Sequence, residues 1–192
     1  MRQRSPETWR LIRDSALGLM AERGFDAVSV DDIVAAAGIS RRTYFNYFAG
    51  KESVLFDPDP DDPALWAELT AGRPAGEPLW DALHQLIREH TTATAERMVR
   101  QRRVLRASPE LAVCSRDVCD RFWDAVHRWA QQRADDATPL QLELLINTAR
   151  TVLNTVLPRW DAETGIAGLH RLIDEGFADL RVLLQSPEWT MS

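Results

Sequence analysis

Between residues 41 and 51 stand six side chains whose groups match those on double-stranded DNA: Arg41, Arg42, Thr43, Phe45, Tyr47 and Lys51. A guanidinium offers a planar pair of N–H donors to guanine O6 and N7, and a good bidentate pair discriminates by about 1–3 kcal/mol. A phenyl ring packs on a thymine methyl. Hydroxyls and an ammonium group suit phosphate oxygens, which fix register without reading sequence. Ser29, Ser40 and Tyr44 complete the same candidate surface.

The flanking residues predict how these groups are positioned. Ser29 is an N-cap, with Asp32 three residues on in the capping-box position. A helix is predicted over Asp31–Ala37. Gly38 ends it, since a left-handed C′ residue favours the absence of Cβ. Gly38, Ile39 and Ser40 form a three-residue turn, and Ser40 caps a second helix that opens on Arg41 and Arg42. In a helix-turn-helix the N-terminal residues of the second helix meet base edges. Ile33, Ala36, Ala37, Ile39 and Phe48 supply a small shared core between the two helices. Lys51 opens a following helix.

From about Thr8 to Leu55 the chain resembles the DNA-binding domain of the TetR family of transcriptional regulators. The resemblance rests on Ala21-Glu22-Arg23-Gly24-Phe25, Ser29-Val30, Ile33, Ala35, Ala37-Gly38-Ile39-Ser40, Thr43-Tyr44-Phe45-Asn46-Tyr47-Phe48 and Lys51-Glu52. It implies a three-helix DNA-binding head, an all-helical ligand-binding body and a homodimer on a palindromic operator. The family's base-reading positions fall on Arg41, Arg42 and Phe45, and its phosphate-holding positions on Thr43, Tyr47 and Lys51. Two residues depart from the family pattern. Phe45 stands where tyrosine is frequent, trading a hydroxyl contact for an apolar one. Asp31 places a carboxylate where it repels phosphate.

The whole chain of 192 residues carries a net charge of −6, which argues against a broad basic field. The charge is unevenly distributed. Residues 1–52 hold eight positive and seven negative side chains, a net of +1, and the remainder holds −7. Affinity for a polyanion would then rest on local placement and on doubling by dimerisation. No apolar run reaches the roughly 18 residues of a membrane span. The first ten residues, MRQRSPETWR, lack an apolar signal core, so the expected location is the cytoplasm. Cys114 and Cys119 do not form a Cys-x-x-Cys pair, and free thiols are expected.

The predicted fold is all-α, with a helix-turn-helix domain over residues 1–50 and a helical effector-binding and dimerisation domain over 51–192. An arm with Arg2 and Arg4 precedes Ser5-Pro6, which cap and open the first helix. That helix runs to about Arg23, with Trp9, Ile12, Ala16, Leu19 and Met20 on one face. Gly24 stops it and Phe25 plugs the core. Three prolines and four aspartates over Asp57–Pro63 break the connecting helix. A short helix is expected over Ala64–Thr70. The body then reads as five helices: Leu79 to about Thr94, Ala95–Ala107, a long helix from Ser108-Pro109-Glu110 to about Ala134, Leu140 to about Trp160, and Thr164 to near Leu184. Arg97, Arg100, Arg102, Arg103 and Arg106 form either a face paired with the acidic loop or a seat for an anionic ligand group.

The fourth body helix is apolar round much of its circumference and must bury on two sides. The last two helices are therefore the expected dimer interface, through Leu145, Val152, Val156, Leu169, Ile173, Phe177 and Leu180. The family resemblance points to the same pair. An effector pocket is expected among Trp80, His84, Ile87, Phe122, Trp123, Val126 and Leu153, an apolar and aromatic set with few polar groups. The run from Arg103 through Leu111 to Trp123 also resembles the actinobacterial subgroup that includes the mycofactocin-system regulator, which makes a long-chain acyl-CoA a candidate effector.

No catalytic constellation is found. His84, His90, His127 and His170 are dispersed, and no nucleophile elbow, zinc-binding helix or phosphate loop is present. No cofactor and no metal are expected. The expected function is a ligand-responsive repressor that binds a palindromic operator as a homodimer. The alternatives are an activator on the same fold, or a helical carrier or enzyme with a vestigial head.

Overall fold

The computed structural model describes residues 5–108, 111, 116–133 and 137–185, with backbone alone at 116–120 and 183–185. The described residues form ten α-helices and two short 3-10 turns: α1 (Pro6–Arg23), α2 (Val30–Ala37), α3 (Arg41–Tyr47), α4 (Lys51–Phe56), α5 (Asp62–Ala71), α6 (Leu79–Ala93), α7 (Ala95–Ala107), α8 (Arg116–Arg133), α9 (Pro139–Val156) and α10 (Gly165–Gln185). The arm with Arg2 and Arg4, the Pro109-Glu110 helix start and Cys114 lie outside the described residues.

The chain divides into two compact units. One comprises residues 1–65 and 96–122, the other residues 66–95 and 123–192. The unit that contains the head thus extends past residue 50, because the core under α1 to α3 is closed by later residues. Val54, Leu55 and Phe56 of α4, Val104 of α7 and Leu111 are buried in the same cluster as Ile12, Met20, Ile33, Tyr44 and Phe48.

Helix α1 forms where the sequence predicts. Ser5 caps it, Pro6 sits at its start, and Gly24 ends it at φ 86°. Its buried stripe is Trp9, Ile12, Arg13, Ala16, Leu17 and Met20, whereas Leu19 is half-buried. The stripe includes an arginine. The Arg13 guanidinium donates to the carbonyls of Leu55 (2.6 Å) and Asp57 and lies 4.9 Å above the Trp9 ring. Burial, then the neighbouring charge of Arg97, pull its pKa down to about 10, so it stays cationic at neutral pH. It donates to carbonyls at the C-terminal end of α4 that have no partner within the helix.

The Pro/Asp segment does interrupt the connecting helix, between α4 and α5. It is nonetheless held in place. Arg10 pairs with Asp59 at 2.8 Å and with Asp61. Asp62, buried, pairs with Arg97 of α7 at 3.0 Å. Gln101 of α7 donates to the Leu55 carbonyl at 3.0 Å. Arg97 therefore follows the acidic-loop reading of the arginine row. Burial raises the Asp59 pKa, but the hydrogen bonds from Arg10 and the Asp61 N–H and the charges of Arg10 and Arg97 together outweigh it and leave the carboxyl below its ordinary range. Its contribution is present above the ordinary carboxylate pKa and is lost as pH falls through the depressed value.

In the second unit α6, α9 and α10 pack on one another. Thr138 caps α9 through a reciprocal contact with Gln141, and Pro139 opens it. Pro158 falls in the 3-10 turn Leu157–Arg159, which closes the helix. Val152, Val156, Leu169, Ile173 and Phe177 are all buried within this single chain. These five side chains therefore have little apolar area left for a second subunit, contrary to the expectation for them. Leu145 and Leu180 are half-buried. Among the side chains described on these helices, the large apolar ones that remain uncovered are Leu140 and Leu144 of α9 and Val182 of α10.

Gly176 sets how closely α10 approaches α9. A Cβ there would stand 2.7 Å from Cγ1 of Val152, a stiff β-branched side chain. Overpacking costs about 1–3 kcal/mol, against a gain of about 1 kcal/mol in helix propensity for alanine over glycine. Gly176→Ala is expected to lower stability by about 1 kcal/mol. The sign should reverse in a Val152→Ala background, as read by urea unfolding of the four proteins.

Candidate nucleic-acid interface

The interface is built from α2, its turn and α3. Ser29 accepts from the Asp32 N–H (3.1 Å), and the Ser29 N–H donates to the Asp32 carboxylate (2.8 Å), a reciprocal cap. Gly38 adopts φ 64°, ψ 33°, the left-handed conformation expected of it. That conformation lets the Ile39 N–H reach the Val34 carbonyl at 3.2 Å. The chain then turns into Ser40, whose hydroxyl accepts from the Thr43 N–H at 3.0 Å and lies 2.8 Å from the Thr43 hydroxyl. The serine hydroxyls of 29 and 40 are thus engaged in capping.

Helix α3 is oriented by aromatic burial. Tyr44 and Phe48 stand four residues apart, both almost wholly buried, with ring centroids 5.9 Å apart. Phe48 also meets Trp9 of α1 at 5.4 Å. With that face committed inward, Arg41, Arg42 and Phe45 face solvent. The Tyr44 hydroxyl donates to the Gly50 carbonyl at 3.1 Å. Burial pushes its pKa up to about 12. Tyr44 was expected on the DNA-facing surface; it is a core residue, and its ring supports α3 from beneath. Ala36 was expected in the shared core and is exposed.

The exposed groups differ in their freedom. Arg42 makes no hydrogen bond or ion pair with the described residues. Arg41 does: one guanidinium nitrogen contacts both carboxylate oxygens of Asp31, at 2.8 and 2.9 Å. Its guanidinium also lies 5.8 Å from the Phe45 ring centre. Phe45 is one of the exposed large hydrophobics, edge-on to Tyr44 at 5.3 Å. The Tyr47 hydroxyl accepts from the Ser5 N–H at 2.9 Å and keeps its own proton to donate. The Lys51 ammonium donates to the Phe25 carbonyl at 2.7 Å and sits 3.9 Å from the Phe25 ring centre. It retains two N–H donors. Lys51 therefore ties α4 to the end of α1 in addition to any outward contact.

The residues expected at an effector pocket are distributed differently. Ile87, Trp123, Val126 and Leu153 are buried in the second unit, whereas Phe122 belongs to the first. Trp80 and His84 both meet Phe177 of α10, at 4.6 and 4.5 Å. His84 Nε2 lies 2.7 Å from Asp174, which also receives Arg88. Sequence periodicity missed this polar group on α6 and α10, because its members lie some ninety residues apart.

Residues 12–57 match the family model "Bacterial regulatory proteins, tetR family". Over 130 residues the chain is 32% identical to MftR of Mycobacterium tuberculosis, whose name assigns it to the transcriptional regulation of mycofactocin biosynthesis. The chain belongs to the TetR family of bacterial regulatory proteins. The alignment to MftR spans 66% of each of the two chains. Among solved structures, the fold is shared with Thermus thermophilus FadR, a TetR-family transcriptional repressor in complex with lauroyl-CoA. That likeness has 24% identity and a TM-score of 0.55, over 92% of this chain and 93% of that one. Bacillus subtilis FadR, in complex with stearoyl-CoA, is 16% identical with a TM-score of 0.55, over 88% of this chain and 97% of that one. The three-helix head and all-helical body expected of a TetR-family chain are therefore present. Among the described residues no helix is long and apolar enough to cross a membrane.

Tyr44→Phe tests the corrected role. It should cost about 1 kcal/mol of stability through the lost hydrogen bond and leave DNA affinity within twofold, as measured by thermal unfolding and fluorescence anisotropy.

Proposed function

We propose that this TetR-family chain is a transcriptional repressor that binds a palindromic operator as a homodimer and is released by a hydrophobic effector. The observation that carries this reading is the exposure of Arg41, Arg42 and Phe45 on a helix whose opposite face is sealed by Tyr44 and Phe48. That arrangement presents two guanidinium groups and a ring to a major groove, with Thr43, Tyr47 and Lys51 placed beside them for phosphates. Two such heads related by a twofold axis would meet half-sites one helical turn apart.

Dimerisation is assigned to α9 and α10 through the side chains they leave uncovered: Leu140, Leu144 and Val182, with Leu145 and Leu180. The effector class is taken from the solved acyl-CoA complexes of the two FadR proteins. An effector acts by favouring a body conformation in which the two heads no longer match successive grooves.

Four measurements test the parts separately. Arg42→Ala should lose about 1–3 kcal/mol of discrimination per half-site against a changed guanine, read by anisotropy on operator variants; unchanged specificity would exclude Arg42 from base reading. Leu144→Asp should convert a dimer to a monomer in sedimentation velocity and remove operator binding, and a persistent dimer would place the interface elsewhere. Lauroyl-CoA or stearoyl-CoA should lower operator occupancy, and indifference to both would exclude that class. A reporter under the operator distinguishes repression from activation.

A further inference from the structure

We propose that Asp31 is a specificity-determining residue of the DNA interface, acting by withholding Arg41 from phosphates. The inference rests on the reading of α3 as the DNA-contacting helix. Asp31 stands in the first turn of α2, one residue before the Asp32 that completes the reciprocal cap. It is not needed for that cap. Its two carboxylate oxygens face the adjoining helix and hold the Arg41 guanidinium at 2.8 and 2.9 Å. Both side chains are largely exposed, 61% for Arg41 and 68% for Asp31, so the pair sits on the surface that DNA would cover. Arg42, next in sequence, has no such partner among the described residues.

The physical consequence is a difference between two kinds of contact. An exposed pair of this type is weak, so DNA can compete for the arginine. On random sequence Arg41 must leave Asp31 for a phosphate, and the freed carboxylate then faces a second anion. The exchange gains little. On a matching half-site the guanidinium gains two directed bonds to guanine O6 and N7, and Asp31 can accept from a cytosine N4 amine. The carboxylate thus penalises non-specific binding more than specific binding, and specificity is that difference. Phe45, 5.8 Å from the guanidinium, limits where Arg41 can swing.

Binding is measured by anisotropy on operator and on scrambled duplex, across a salt series, for the native protein, Asp31→Asn, Arg41→Ala and the double variant. Asp31→Asn should tighten binding to scrambled DNA by about five- to tenfold and to operator by less, so the ratio between them falls. Its salt slope on scrambled DNA should steepen by about 0.9 per head, one added phosphate contact. In the Arg41→Ala background the same substitution should leave the ratio unchanged. An equal effect of Asp31→Asn with and without Arg41 would overturn the proposal and leave Asp31 as a plain repulsive charge. Equal tightening on both duplexes would overturn it too. If the native protein binds neither duplex, the reading of α3 itself fails, which is a separate outcome. Asp31→Ala, with thermal unfolding of every variant, guards against a folding defect.

Discussion

Helix α3 is seven residues long, too short to hold its conformation alone. Its existence depends on the burial of Tyr44 and Phe48, the latter against Trp9 of α1. Both rings are nearly inaccessible, and each meets a neighbour at aromatic contact distance. This one packing arrangement fixes the rotation of α3 about its axis. From that rotation follows the exposure of Arg41, Arg42 and Phe45. The caps at Ser29 and Ser40 and the left-handed Gly38 set where the helices start and stop, and the aromatic pair decides which way the second one faces.

The chain is acidic, and its way with a polyanion is correspondingly local. Three arginines of the first unit are committed to its own structure. Arg10 holds the acidic loop, Arg13 closes the carbonyls at the end of α4, and Arg97 pairs with buried Asp62. These contacts weld α1, α4, the loop and α7 into one compact unit. Two prolines between α4 and α5 interrupt the connecting helix, and ion pairs hold the segment in place. Arg42, which makes no hydrogen bond or ion pair among the described residues, keeps its guanidinium for an outside partner.

Much of this was legible in the residues. The capping serines, Gly38, the three-residue turn and the proline break all act through local backbone chemistry, and local chemistry is what a sequence displays most directly. The burial of Arg13 and the inward face of Tyr44 were not legible. Both side chains are polar at their tips and apolar along their bodies, so residue type alone does not assign a side. That five of the seven side chains expected at a dimer face are buried within the chain was not legible for a related reason. Helix α9 has more apolar positions than one neighbour covers, but periodicity does not say which stripe its own subunit has already used. Leu140 and Leu144, rather than Val152 and Val156, are the ones left over. The Asp31–Arg41 contact joins two helices across a turn, and only the crossing geometry reveals it.

The central claim is that α3 enters a major groove and reads guanine through its arginines, twice per bound site. Methylation interference on operator DNA selected by the purified protein tests this most directly, since the modified N7 lies in the major groove. The account predicts two clusters of interfering guanines about one helical turn apart. Binding that tolerates N7 methylation throughout the site would contradict it.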